Sequence, residues 1–180
     1  MAYAGTIEKL SRVLKPVSEE AESAVAILLR PFNRKLQVLF VKRVENPTDP
    51  WSGQIAFPGG KRDAKDQDLK QTIARETLEE TNINVLERCR FLGALTVQRS
   101  RLRPEMGILP FVFLVEHEPT IKLSKQEIES CFWIMLEELQ RNRGTFKLSL
   151  GEVDAYIIEN CVIWGLTYRI LEDFFGILQQ

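Results

Sequence analysis

Histidine is nearly missing from this 180-residue chain, which carries only His117. Zinc chemistry built on two or three imidazoles is therefore excluded. A Ser-His-Asp or Cys-His enzyme would depend on that one residue, and no nucleophile elbow stands near it. His117 lies in "VEHEP", between two glutamates after an apolar run, which predicts a solvated strand end. Cysteine is scarce too. Cys89, Cys131 and Cys161 are odd in number, widely spaced and form no CxxC pair, so neither a zinc site nor a disulfide framework is indicated. A reducing, cytoplasmic setting is the expectation. Long hydrophobic runs are absent: "AVAILL" and "ILPFVFLV" are far too short to cross a bilayer. The opening "MAYAGTIEKLSRVLKP" has an amphipathic pattern with interior charges rather than a signal-peptide core, so no membrane partner is expected. Neither sign of charge dominates. Lys and Arg number 24 against 25 Asp and Glu, a net charge of −1 with no block of like charge, which argues against a nucleic-acid partner.

What is present is ordinary globular material. With 44% hydrophobic residues the chain reads as one domain over residues 1–180. Ile7, Leu10, Val13 and Leu14 recur at helical spacing, and Pro16 stops that helix. "SAVAILLR" and "KLQVLFVKRV" read as strands joined by the turn "PFNRK". The loop "ENPTDPWSG" follows, then a short strand "QIAF". "RFLGALTV" and "ILPFVFLV" read as strands around the basic loop "QRSRLRPEMG". "ESCFWIML" is ambiguous, and "EELQRN" continues as helix. In "VIWGLTYRILEDFFGIL", Ile163, Leu166, Ile170, Phe174 and Leu178 share one face of a core-packing helix. Strands and helices mixed in this way imply an α/β (α+β) sandwich.

The unusual stretch is "GQIAFPGGKRDAKDQDLKQTIARETLEETNINV", residues 53–85. It predicts a helix that Asp68 caps, with Gln71 completing a capping box and Asp66 as a competing cap. Asn82 suits the left-handed position just past the helix end. Leu69, Ile73, Ala74, Thr77 and Leu78 fill an apolar arc at about 100° per residue. Glu76 and Glu80 border that arc, in line with Leu69 and Ile73, and Glu79 lies farther round. A solvated acidic face therefore describes them poorly.

Carboxylates stacked at i and i+4 near a core repel one another. A basic partner, protonation or a divalent cation would each relieve the repulsion. Arg75 can pair with Glu79 one turn later, but Glu76 and Glu80 have no cation at i±4. Before the helix, Pro58 leads into Gly59-Gly60, a turn that permits close backbone approach to a ligand or ion, and Lys61 adds a positive charge. No GxxxxGK[ST] is present, so this turn is not a P-loop.

Gly60 and the "RETLEE" run, Arg75 to Glu80, resemble the Nudix box, G-x5-E-x7-R-E-U-x-E-E-x-G-U, where U is a bulky apolar residue. Asp66 replaces the first Glu, with one extra residue before Arg75; Thr77 stands at an apolar position, and Asn82 replaces the last glycine. The "SGQIAFPGGKRDAKDQDL" lead-in, its Asp63/Asp66 pair and "VIWGLTYRIL" resemble the coenzyme A pyrophosphatase subgroup of that family. That subgroup also carries an arginine in the loop before Ser52-Gly53, where this chain has none after Arg43.

The resemblance implies a Nudix-type α/β/α sandwich with a mixed central sheet, and hydrolysis of a diphosphate in a small-molecule nucleotide derivative. Coenzyme A or acyl-coenzyme A is the leading substrate. It implies Mg²⁺ or Mn²⁺ held by Glu76 and Glu80, with Glu79 and the Gly60 carbonyl assisting, and Arg75 as an orienting partner. Glu79, Asp66, Glu105 and Glu127 are the candidate bases, in that order. Arg43, Lys61, Arg99, Arg101 and Arg103 are candidate phosphate contacts. A homodimer is an open expectation. A binding module that had lost turnover would have shed carboxylates from this pattern, and all are kept.

Overall fold

A computed structural model describes residues 3–17, 21–49, 51–101, 103–149 and 151–179. The elements in chain order are α1 (Ala4–Val13), β1 (Ser23–Phe32), β2 (Lys35–Arg43), β3 (Ile55–Ala56), β4 (Gly59–Lys61), α2 (Leu69–Thr81), α3 (Val85–Arg88), β5 (Cys89–Ala94), β6 (Gln98–Arg99), β7 (Gly107–Val115), β8 (Ile128–Met135), α4 (Leu136–Arg141), β9 (Arg143–Leu148), β10 (Gly151–Ile158), β11 (Cys161–Trp164) and α5 (Gly165–Gln179).

The central sheet runs β3-β2-β1-β7-β5, with β4 added to β1, β6 to β7 and β8 to β2. It is mixed, because β1 and β7 pair in parallel while their other neighbours are antiparallel. Both faces are covered, which explains why β1 and β7 read as continuous apolar runs rather than alternating ones. Ala24, Ala26 and Leu28 of β1 join Phe111 and Phe113 of β7 in a core with Leu69 and Ile73 of α2. The intervening Ile27 and Leu29 face the opposite core, with Leu10 of α1 and Ile170 and Phe174 of α5. The result is an α+β sandwich with a mixed central sheet.

Several local expectations are corrected. The β1–β2 turn is tighter than "PFNRK": Asn33 and Arg34 both take positive φ, the two-residue hairpin geometry that leaves Pro31, Phe32 and Lys35 in the strands. "ESCFWIML" is β8, antiparallel to β2, up to Met135. The C-terminal helix starts only at Gly165, so Ile163 belongs to β11, although it still enters the same core as Ile170 and Phe174. The second sheet, β11-β10-β9, has no counterpart in the sequence reading. His117 is exposed just beyond β7, as its neighbours predict. No helix among the described residues is long and apolar enough to cross a membrane.

Candidate active site

The site begins with a three-residue ribbon. β4 pairs with β1 so that Gly59 faces Val25 and Gly60 faces Ala24. Gly59 has φ +148°, and a Cβ there would meet the Ala24 carbonyl at 2.2 Å. At Gly60 the obstacle is different: a Cβ would lie 2.5–2.7 Å from the carboxylate of Glu76. One glycine lets the ribbon lie on the sheet, and the other lets a carboxylate lie on the ribbon.

α2 delivers that carboxylate. Asp68 is its N-cap, accepting from the Gln71 N–H at 2.8 Å, and Asn82 is the left-handed residue at its C-terminus. Asp66 is not a rival cap, because its carboxylate accepts from the Asp63 N–H and from Arg75. The buried face is also rotated from the predicted apolar arc. Leu78 is 44% exposed, whereas Thr72, Thr77, Thr81 and Glu80 are buried with Leu69 and Ile73. Each of these threonine hydroxyls donates to the carbonyl four residues back, which frees it from any need for water. Glu80 therefore lies near the middle of the buried face rather than at its border.

Glu80 is 2% exposed and accepts from the Gly59 N–H at 2.9 Å. Burial pushes its carboxyl up to about 8, with Glu76 and Glu127 adding to the rise while Gly59 and Arg43 oppose it. Burial raises Glu76 as well, against the pull of Arg75. Glu79 remains half exposed.

Arg75 is the hub of the cluster. It forks onto both oxygens of Asp66, at 3.2 and 2.9 Å, and reaches Glu76 at 2.8 Å and Glu79 at 3.2 Å. It also donates to the Lys61 carbonyl at 3.1 Å. This grip holds Asp66 down at about 2 and raises Arg75 itself, chiefly through the Asp66 hydrogen bonds. The departure from the box at Asp66 thus leaves a working partner for Arg75.

The donors fit a hard divalent cation: they are all oxygen, on carboxylates whose burial penalises their charge, beside backbone that leaves no room for a side chain. In the arrangement described, Arg75 and the Gly59 N–H already engage these groups. No three acidic, histidine or cysteine side chains among the described residues are yet gathered as a ligand set.

A cavity of about 280 Å³ adjoins the ribbon. It is lined by Gly59, Gly60, Lys61 and Arg43, though not by the glutamates themselves. Arg43 links the two, standing 3.8 Å from Glu80 while it bonds Asp49 at 2.8 Å. Of the predicted basic contacts, Arg103 also lines this cavity, its guanidinium 5.7 Å from the ring centroid of Trp51. Arg99 instead donates to the carbonyls of Pro104 and Glu105 in its own loop. Arg101 opens onto a neighbouring cavity with Trp164 and Arg169. The sequence reading passed over Trp51, Asp49 and Arg169. Only the tryptophan in "DPWSG" carried a signal, as a large aromatic in an otherwise polar loop.

Residues 21–156 match the NUDIX domain family, and the chain belongs to it. It is 36% identical over 133 residues to the peroxisomal coenzyme A diphosphatase of Caenorhabditis elegans, covering 72% of this chain and 55% of that protein. It is 32% identical over 164 residues to the uncharacterized Nudix hydrolase NudL of Yersinia enterocolitica, covering 87% and 83%. The chain spans 32% and 55% of the lengths of two curated relatives, under two thirds of either. Among solved structures, the NUDIX domain of Shewanella oneidensis NrtR, complexed with ADP ribose, superposes with a TM-score of 0.59 over 95% of this chain and 97% of that one. At 15% identity that likeness concerns the fold.

Proposed function

We propose that this protein hydrolyses a diphosphate linkage in a nucleoside diphosphate derivative, using a divalent cation, Mg²⁺ or Mn²⁺. The observation that carries the reading is the pair Glu76 and Glu80, brought from the buried face of α2 onto Gly59-Gly60 with their charge incompletely offset. Glu76 and Glu80 would hold the cation, with the Gly60 carbonyl and Glu79 assisting. When bound, such a cation polarises the diphosphate, offsets charge on the leaving phosphate and lowers the pKa of the attacking water.

The chain's own residues supply the rest. Arg75, fixed by Asp66, orients Glu76 and Glu79. Arg43 and Lys61 present positive charge where the ribbon meets the cavity. Glu79 is the preferred proton acceptor because it is half exposed. Asp66 is the weaker candidate, since two guanidinium contacts and a backbone N–H already occupy it. Arg99 holds the loop that presents Arg101, and Arg101 meets a more distant phosphate.

Coenzyme A or its acyl form is the proposed substrate, supported by the likeness to the worm diphosphatase. The products are then a 4′-phosphopantetheine derivative and adenosine 3′,5′-bisphosphate. The test compares coenzyme A, dephospho-coenzyme A, ADP-ribose and a dinucleoside polyphosphate with Mg²⁺ and Mn²⁺, reading products by mass. Coenzyme A should give the highest kcat/KM. A tenfold advantage for either of the last two would remove the coenzyme A reading and leave the hydrolase reading standing. Equal turnover in excess chelator would remove both.

A further inference from the structure

Nine polar or charged side chains are buried among the described residues, and seven of them have partners. The two exceptions are Ser23 and Thr167. Ser23 is 5% exposed, and its Oγ is the one fully buried side-chain oxygen or nitrogen, among the described residues, with no hydrogen-bond partner. Thr167 is 8% exposed, and its hydroxyl makes no hydrogen bond among the described residues. The threonines of α2 all bond the carbonyl four residues back, but Thr167 follows Gly165 at the start of α5 and has no preceding turn to use. A buried hydroxyl left unpaired is costly, so Ser23 calls for a reason, and Thr167 sets a second hydroxyl without a hydrogen bond among the described residues beside the same space.

Both line the same cavity, the one that adjoins the glycine ribbon. Beyond Arg43, Lys61 and Arg103 its wall is largely apolar, with Val25, Met106, Ile108, Leu166 and Ile170 alongside Phe57. The neighbouring cavity differs in character. It meets the first at Trp51, Gln54 and Leu166, and offers Trp164, Tyr168, Arg101 and Arg169 together with Glu152 and Asp154. Neither of those arginines has an ion pair with a carboxylate among the described residues. Aromatic faces beside guanidinium groups suit a nucleobase and a phosphate. A largely apolar slot with two isolated hydroxyls suits a flexible, uncharged arm. Its methylenes would lie on the apolar walls, and an amide would use hydroxyls that can both donate and accept.

We propose that Ser23 and Thr167 form the polar floor of a subsite for the uncharged, amide-bearing arm of the substrate, with the nucleoside half directed into the neighbouring cavity. The arm is pantetheine in the coenzyme A reading, on which this assignment rests. The two hydroxyls thereby fix which way round the diphosphate lies over the ribbon.

The experiment measures equilibrium binding of the two product halves, 4′-phosphopantetheine and adenosine 3′,5′-bisphosphate, to the wild type, Ser23→Ala and Thr167→Val. Each substitution should weaken 4′-phosphopantetheine roughly three- to tenfold, leave the bisphosphate unchanged, and keep the melting temperature at or above the wild type's. The proposal is overturned if the wild type does not bind 4′-phosphopantetheine, or if both variants bind it as the wild type does. It is equally overturned if the bisphosphate weakens instead, or if both variants melt lower and so mark the hydroxyls as structural. Failure of the coenzyme A reading shows separately, as wild-type turnover that favours another diphosphate.

Discussion

The two ends of α2 treat their carboxylates in opposite ways. Near the entrance, Asp66 meets the fork of Arg75 and a backbone N–H, and its carboxyl is held down at about 2. At the exit, one residue before the last of the helix, Glu80 is buried more deeply still, yet it has one backbone N–H and a guanidinium at 3.8 Å, and burial pushes its carboxyl up to about 8. The first is a completed ion pair and the second an incomplete one. Burial alone does not mark a functional carboxylate; burial without sufficient opposite charge does.

Removing Glu80's charge should break the comparison with the largest effect. Glu80→Gln is expected to lower kcat at least a hundredfold in Mg²⁺, while the metal-free protein melts no lower than the wild type. The sign follows from linkage. The folded state holds the Glu80 proton more tightly than the unfolded chain, so its contribution to metal-free stability is fully present below the ordinary carboxylate range and is lost as pH rises through about 8. Melting curves in chelator from pH 5 to 9 should show that fall in the wild type and a shallower one in Glu80→Gln. A variant that melted sharply lower would make Glu80 a structural residue.

The adjacent glycines sharpen the contrast. Gly59→Ala drives a methyl into the Ala24 carbonyl at a φ few side chains adopt, and should cost several kcal/mol, on the order of 3 or more. Gly60→Ala meets only the end of a flexible side chain, the Glu76 carboxylate, which can swing aside. Its turnover should collapse with a much smaller drop in melting temperature. Parallel thermal and kinetic assays decide, and equal melting shifts would contradict the roles given to the two positions.

A smaller effect is expected at the entrance. Asp66→Asn exchanges charge-assisted bonds for weaker ones, at about 2 kcal/mol, with reduced turnover because Arg75 loses its anchor. Asp66's folded pKa is depressed, so its contribution is present above the ordinary carboxylate range and lost as pH falls through about 2. The wild-type advantage over Asp66→Asn should therefore shrink in acid, and an advantage that held constant would refute the ion-pair account. Leu78→Gln should be the mildest change, within roughly 0.5 kcal/mol, because that side chain is exposed. A loss above 1.5 kcal/mol would restore Leu78 to the buried face.

Much of this was legible in the residues. The Asp68 cap, the Asn82 terminus, the paired apolar strands and the Glu76/Glu80 cluster all rest on local rules of spacing and conformation. The face of α2 is less legible: an arc chosen by polarity takes in Thr77 but leaves out Thr72 and Thr81, whereas back-bonded hydroxyls go inside at little cost. The β9–β10 hairpin was missed because β9 alternates half-buried and exposed residues with no strong apolar periodicity. Trp51 and Arg169 come together only through tertiary folding, and no spacing in the chain brings them near the cluster.

The parallel pairing of β1 with β7 also governs how the molecule comes into being. Ser23 to Leu29 cannot find Ile108 to Leu114 until the intervening chain, with the whole acidic helix, has been synthesised. Parallel partners so distant in sequence close slowly, and until then β1 and β2 form a hairpin with both apolar faces bare. The glycine ribbon hangs on that hairpin through three residue pairs. Assembly of the site is thus tied to one late, long-range closure, which makes β1 and β7, rather than α2, the segments whose substitutions would slow refolding and favour aggregation of nascent chains.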